Sequence, residues 1–250
     1  MNMKYRVVIP ARFDSSRLPG KALLPLAGKP MLQWVHERAR SSGAAEVCVA
    51  TDDDRIATAA RGFGADVAMT ARTHVSGTDR IAEVAASRRW ADEDIVVNVQ
   101  GDEPLIPPAV IDQVAQLLAA NARADIGTLA VKIDALADLG DPNVVKVACS
   151  ADGRALYFSR ASIPFNRDAP TTVPSAALRH VGIYAYRVAA LRKLAGLQPT
   201  RLELIEKLEQ LRALENGMEI RVALAVERPL ADVNTAADLE RAERALLVRP

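Results

Sequence analysis

The 250-residue sequence predicts an α/β fold: a mainly parallel sheet flanked by helices, with a β-rich insertion at about residues 126–187. Three observations carry this. Short apolar, β-branched segments alternate with segments of helical period through the first half, the signature of βαβ units with right-handed crossovers. The strand-like segments read as continuous apolar runs, so both sheet faces are covered. Beyond Ile126 helical periodicity thins out and strand-like segments follow one another.

The first strand is Tyr5–Pro10. After it comes a polar stretch, Ala11 to Lys29, too long for a simple βα turn; ordered loops of this length are usually functional. Met31, Leu32, Val35 and Ala39 recur at helical spacing and stop at Ser41-Ser42-Gly43. Glu46–Thr51 is a second buried strand, Asp53–Gly62 a helix, Asp66–Met69 a short strand and Thr78–Arg89 a helix. Ile95–Val99 is the most apolar strand, and Pro107–Asn121 continues as a helix with proline at its start. In the second half Ile126–Ile133, Val144–Ser150, Ala155–Ser159 and Gly182–Arg187 are strand-like. Helices are expected at about Arg201–Asn216 and Thr235–Leu247, around a strand at Ile220–Val226. No repeat, low-complexity segment or linker interrupts the chain, so one domain over 1–250 is expected.

Composition narrows the function. Half of the residues are hydrophobic and 25% are charged, an ordinary globular balance. Lys plus Arg is 32 against 31 for Asp plus Glu, so no global field recruits nucleic acid or an anionic membrane, and any anion site is local. The N-terminus lacks the features of a secretory signal, and no apolar run approaches the roughly 18 residues that cross a bilayer. A cytoplasmic protein is expected, with Cys48 and Cys149 as free thiols.

Three constellations can do chemistry. Pro10-Ala11-Arg12-Phe13-Asp14-Ser15-Ser16-Arg17-Leu18-Pro19-Gly20-Lys21 puts three cations, two hydroxyls and a glycine at the carboxyl end of the first strand, where open α/β sheets bind ligands. Such a set can wrap a polyphosphate. It is not a P-loop, since Ser15 stands where the first glycine would be and Ala22 where the hydroxyl would be, and no G-x-G-x-x-G follows the strand. Asn98-Val99-Gln100-Gly101-Asp102-Glu103-Pro104 comes at the end of the most buried strand, so Asp102 faces the same edge and suits Mg²⁺, which takes one or two carboxylates plus phosphate oxygens. In His74-Val75-Ser76-Gly77-Thr78-Asp79-Arg80, Ser76 or Thr78 can cap a helix whose N–H groups face an anion.

Taken together, Ile9–Arg12, Ser16–Lys21, Ser76–Arg80 and Val97–Pro104 resemble the 3-deoxy-manno-octulosonate cytidylyltransferase family. Asn143–Lys146, Ala155–Arg160, Arg179–Tyr184 and Leu208–Arg212 extend the resemblance over nearly the whole chain. The resemblance implies a Rossmann-like nucleotide-diphospho-sugar transferase fold, a homodimer, CTP and Kdo (3-deoxy-D-manno-octulosonate) as substrates, and Mg²⁺ as cofactor. It places Pro10, Ala11, Arg12, Ser16, Lys21, Gly77 and Thr78 around CTP, with Lys21, Arg12 and Asp102 catalytic. It places Arg80, Gln100, Arg160, His180, Tyr184, Glu209 and Gln210 around the sugar. The family's second metal aspartate is Asn234 here, two residues after Asp232. On an extended stretch Asp232 lies on the same side as Asn234 and is expected to supply the missing charge; otherwise Asp102 is the one carboxylate at the metal. The segment between Asp168 and Arg179 is a few residues short of the family pattern. Two other readings are an enzyme for another acidic sugar, sialic-acid-like or amino-Kdo, and a nucleotide-binding interaction protein with a degraded metal site.

Overall fold

The computed structural model describes residues 4–14, 18–230 and 232–248. Tyr5–Ala11 (β1) leads through a 3-10 turn at Lys21–Leu23 and a small hairpin, Pro25–Leu26 (β2) with Lys29–Pro30 (β3), into Met31–Arg40 (α1). Strand and helix then alternate as expected: Glu46–Thr51 (β4), Asp54–Gly62 (α2), Asp66–Met69 (β5), Gly77–Ser87 (α3), Ile95–Asn98 (β6) and Pro108–Ala120 (α4). The second half contains Ile126–Lys132 (β7), Leu136–Gly140 (α5), Lys146–Cys149 (β8), Ala155–Ser159 (β9) and Leu178–Arg187 (β10). It closes with Val188–Gly196 (α6), Arg201–Glu206 (α7), Gln210–Glu215 (α8), Ile220–Leu224 (β11) and Ala236–Val248 (α9).

One sheet runs in the order β11-β7-β10-β6-β1-β4-β5. β1 pairs in parallel with both β4 and β6, β4 with β5, and β11 with β7. The alternation of side chains along β1 explains the two covering layers. Val7 and Ile9 pack with Leu32, Val35, Ile56, Val110 and Ile111 of α1, α2 and α4. Val8 packs on the other face with Ile81 and Val84 of α3, Leu191 of α6 and Leu211 of α8. All three β1 side chains have no exposed surface, as their unbroken apolar run predicts.

The expected β-rich insertion at 126–187 is rearranged in an instructive way. β7 and β10 are continuous with the main sheet, and β10 is antiparallel to both of its neighbours in the sheet order. Val181, Ile183 and Ala185 of β10 are buried in the same core as β1. Only β8 and β9 stand off this path, as a pair attached to β10. The chain comes back to β7 as β10 by way of the short α5 and the β8–β9 pair, and joins it antiparallel, so a run of strands need not be a separate body. The helix expected over Arg201–Asn216 is two helices, broken at Lys207, which has a left-handed φ of 54°. Buried Arg212 holds them together, giving 2.9 and 2.5 Å bonds to Glu203. Cys48 and Cys149 are free thiols as expected, and burial pushes Cys48 up to about 11.

Sequential connections leave β1 toward β4 on one side, whereas β6 lies on its other side. The chain order therefore switches direction between β1 and β6, and the loops after their carboxyl ends border the crevice where such sheets bind ligands.

Candidate active site

The loop after β1 is pinned at both ends before it reaches the crevice. Gly20 N–H donates to the Phe13 carbonyl at 3.0 Å, and Gly20 takes φ 67°, a left-handed value that glycine adopts without strain. A Cβ at Gly20 would also lie 3.1 Å from the Phe13 ring. Phe13 is held in turn by the Arg55 guanidinium, 3.3 Å from the ring centre. This delivers Lys21 to the mouth of β6, where Nζ donates to Asp102 Oδ2 at 2.6 Å, to the Val233 carbonyl at 3.0 Å and to Asn234 Oδ1 at 3.3 Å. Three loops far apart in sequence thus meet on one ammonium.

The loop after β6 fits closely under β1, since a Cβ on Gly101 would sit 3.0 Å from the Pro10 carbonyl oxygen. The C-terminal segment is fastened to it by Val233 N–H on the Asp102 carbonyl at 2.9 Å. Val233 itself is fully buried among Leu26, Met31, Ala242 and Leu246. Glu103, next to Asp102, is buried deeply enough that desolvation, and then the charges of Asp102 and Asp232, raise its carboxyl to about 8. Its Oε2 is one of three buried side-chain polar atoms without a hydrogen-bond partner among the described residues.

The third wall is the start of α3. Ser76 and Asp79 form a reciprocal capping box, and Ser76 and Gly77 border the crevice. Gly77 lets the helix approach β1, because a Cβ there would lie 3.2 Å from Pro10 Cγ. His74 is tied to α3 through Glu83 at 2.5 Å. Arg80 is 4% exposed and bonded to Asp52 at 3.1 Å and to Thr70.

These walls enclose a cavity of about 280 Å³, bordered by Pro10, Ala11, Arg12, Lys21, His74, Ser76, Gly77, Arg80, Gln100, Asp102 and Asn234. A second cavity of about 120 Å³ adjoins it and shares Gly77 and Gln100. Thr78, Asn98, Tyr184, Tyr186, Glu209 and Gln210 border this smaller one. Burial raises Glu209 above the usual carboxylate range, against the opposing hydrogen bonds of Thr78 and Ser76. Tyr184 and Tyr186 stack with ring centres 5.8 Å apart, and burial raises both phenols.

Most of the residues named from sequence therefore gather on these two cavities. Arg80, assigned by resemblance to the sugar side, lines the larger cavity. His180 lies behind Tyr184, 5.2 Å between ring centres, and its Nε2 meets Thr128 Oγ1 at 2.9 Å. The Arg160 guanidinium is directed into backbone carbonyls, those of Glu206 at 2.7 Å, Pro142 at 2.8 Å and Lys207 at 3.4 Å. Ser16 lies outside the described residues. Tyr186 is a wall residue that sequence reasoning missed, and Asn98, although inside the run that carries the resemblance, was given no role. Asn98, polar at the end of an otherwise apolar strand, was the available signal.

A family model described as Cytidylyltransferase matches residues 6–220. The 3-deoxy-manno-octulosonate cytidylyltransferase of Aliivibrio fischeri (strain MJ11) is 53% identical over 98% of this chain and 99% of its own length. That of Pseudomonas fluorescens is 54% identical over the same shares. A solved structure of CMP:2-keto-3-deoxy-manno-octonic acid synthetase complexed with CTP is 41% identical, with a TM-score of 0.91 and all of both chains covered. A cytidylyltransferase from Leptospira borgpetersenii, 20% identical, shares the fold at a TM-score of 0.66 over 100% of this chain and 89% of that one.

Proposed function

The chain belongs to the cytidylyltransferase family, and from that premise we propose that it transfers CMP from CTP to the anomeric hydroxyl of Kdo, releasing pyrophosphate and forming CMP-Kdo. The observation that carries the reading is the junction of the two cavities at Gly77 and Gln100. The larger, with Arg12, Lys21, Arg80 and the start of α3, suits a triphosphate. The smaller, with Glu209, Gln210 and two tyrosines, suits a polyhydroxylated acceptor. An acceptor in the smaller cavity presents its hydroxyl to a nucleotide α-phosphorus at the shared wall. Negative charge then builds on the phosphoryl oxygens, and Lys21 and Arg12, both on the wall of the larger cavity, are the cations that stabilise it. Holding the two substrates together supplies the rest, so no nucleophilic serine or cysteine is required.

Mg²⁺ fits the donors present. Oxygens of Asp102, Val233 and Asn234 converge on the Lys21 ammonium within 3.3 Å, so the niche already favours positive charge. No group of three His, Cys, Asp or Glu that could hold a metal occurs among the described residues. That suits an ion which draws on one or two carboxylates and completes its shell from phosphates and water. Asp102 and Asn234 would hold it, with Asp232 beside them. When bound, it would neutralise phosphate charge and orient the reacting oxygens.

The same reading makes the enzyme a cytoplasmic homodimer whose product serves lipopolysaccharide biosynthesis. No described helix is long and apolar enough to cross a membrane. Leu156 of β9 and Leu204 and Ile205 of α7 are exposed apolar groups that a second copy could cover. The decisive measurement is pyrophosphate release with CTP, Mg²⁺ and a panel of Kdo, amino-Kdo and sialic acid. Kdo is expected to be used best, and CTP strongly over ATP and GTP. Faster turnover with another sugar would replace the acceptor, comparable rates with ATP would remove the cytidylyl specificity, and no release with any pair would remove the enzyme.

A further inference from the structure

Asn234 stands between two charges of opposite sign. Its Oδ1 accepts from Lys21 Nζ at 3.3 Å, and its Nδ2 donates to Asp232 Oδ2. An ammonium can only donate and an ionised carboxylate can only accept. Those two partners therefore admit a single orientation of the amide, oxygen toward Lys21 and nitrogen toward Asp232. A flipped amide would set its NH₂ against the ammonium and its oxygen against the carboxylate.

The backbone around Asn234 is held on both sides. Val233 anchors the segment in the core and on Asp102. The amides of Asn234 and Thr235 both donate to Asp238 Oδ2, at 3.0 and 2.7 Å, so Asp238 is committed to capping α9. Asp232 is exposed, and it is joined to Lys21 and Asp102 through the Asn234 amide.

We propose that Asp232 is a positioning residue for the cation site, holding Asn234 with its oxygen turned toward Lys21 and Asp102, so that a neutral amide serves a divalent cation as an oxygen ligand. Asp232 adds its charge from behind the amide and does not itself touch the ion. The inference rests on the metal-dependent reading above and makes a claim that reading does not, namely that the effect of Asp232 depends on what occupies position 234. Removing an outer partner that orients a metal ligand typically costs 10- to 100-fold in metal affinity.

The test titrates Mn²⁺ against full-length enzyme and CTP without acceptor, reading free Mn²⁺ by electron paramagnetic resonance. Asp232→Ala is expected to weaken binding by about 10- to 100-fold, and Asp232→Asn, whose amide oxygen can still accept from Asn234, by less. In the Asn234→Asp background, where there is no amide to orient, Asp232→Ala should change binding by no more than about threefold. Thermal melting should be unmoved by Asp232→Ala, because the side chain is exposed. An equal loss in both backgrounds would make Asp232 a direct ligand and overturn the inference, as would no loss in either. Wild-type enzyme that bound no Mn²⁺ with CTP would sink the metal-dependent reading, and this inference with it.

Discussion

The two cavities differ in how their charges are kept. In the larger one each ionised group has a partner or access to water: Lys21 lies on Asp102, Arg80 on Asp52, and Arg12 is exposed. In the smaller one Glu209, Tyr184 and Tyr186 are held in their neutral forms by burial over a wider pH range than in water. A triphosphate arrives with its own charge and needs ready cations, whereas an acceptor that is mostly hydroxyl is distinguished by buried partners left unsatisfied when it is wrong. The difference teaches that one end is built for charge stabilisation and the other for discrimination.

The strongest way to break this comparison is at Lys21. Lys21→Ala is expected to lower turnover by roughly 10² to 10³, the scale of one preorganised donor. It also releases three loops from one another, so a rise in CTP KM should accompany the loss. Turnover within about threefold of wild type would show that the ammonium is a structural tie and nothing more.

Glu209→Gln tests the other end. The acceptor KM should rise roughly 10- to 100-fold, the 1.5–3 kcal/mol of a hydrogen bond to a charged group, while the CTP KM stays within about twofold. The sign with pH follows from the raised carboxyl. As pH falls, Glu209 protonates before an ordinary glutamate would, so the wild-type acceptor KM should climb earlier on the acid side and that of the variant should stay flatter. Equal effects on both substrates would merge the two ends into one.

The same contrast explains what could be read from the sequence. The phosphate end is made largely of contiguous runs, 10–21, 76–80 and 100–102, each following a strand or opening a helix, so spacing and residue type expose it. The sheet was legible for the same reason: Glu46–Thr51, Asp66–Met69 and Ala155–Ser159 agree with their expected limits to the residue. The acceptor end is assembled from single residues at 98, 184, 186, 209 and 210, and a lone tyrosine in a strand reads as core. It became visible through resemblance, which left out Tyr186 and gave Asn98 no role. The antiparallel return of β10 and the break at Lys207 were hidden because pairing partners and a left-handed φ on lysine leave no local signal.

Arg160 sharpens the acceptor end at one remove. Its guanidinium holds the carbonyls of Glu206 and Lys207, and the Glu206 carboxylate receives Ser159 Oγ at 2.6 Å and Arg160 N–H at 2.9 Å. This clamp fixes the turn that carries Glu209 and Gln210. Arg160→Met should cost about 1–2 kcal/mol of stability, a fall of a few degrees in Tm, with a modest rise in acceptor KM. A rise in acceptor KM at unchanged Tm would instead mean that Arg160 meets the sugar itself.

The smallest expected effect concerns His180, at the back of the acceptor cavity. Its ring is 5.1 Å from Phe158 and 5.2 Å from Tyr184, and burial lowers its pKa from 6.5 to about 3. Thr128 has one hydroxyl hydrogen, which reaches the Ile183 carbonyl at 2.7 Å, so Thr128 Oγ1 accepts from a neutral His180 through Nε2–H. The unfolded chain takes up a proton near pH 6.5 and the folded chain does not until far lower. His180 therefore destabilises the fold progressively as pH falls below about 6.5, and its contribution is fully restored above that value. Between about pH 7.5 and 5.8 the loss is about 1 kcal/mol, or roughly 2–4 °C in Tm for a chain of this size. His36, also lowered by burial, acts with the same sign, and Glu209, raised by burial, with the opposite one. The difference between wild type and His180→Gln isolates this residue, since Gln can still donate to Thr128 and does not titrate. The variant should lose less Tm than wild type across this interval. Parallel Tm profiles would mean that His180 takes up its proton in the folded enzyme.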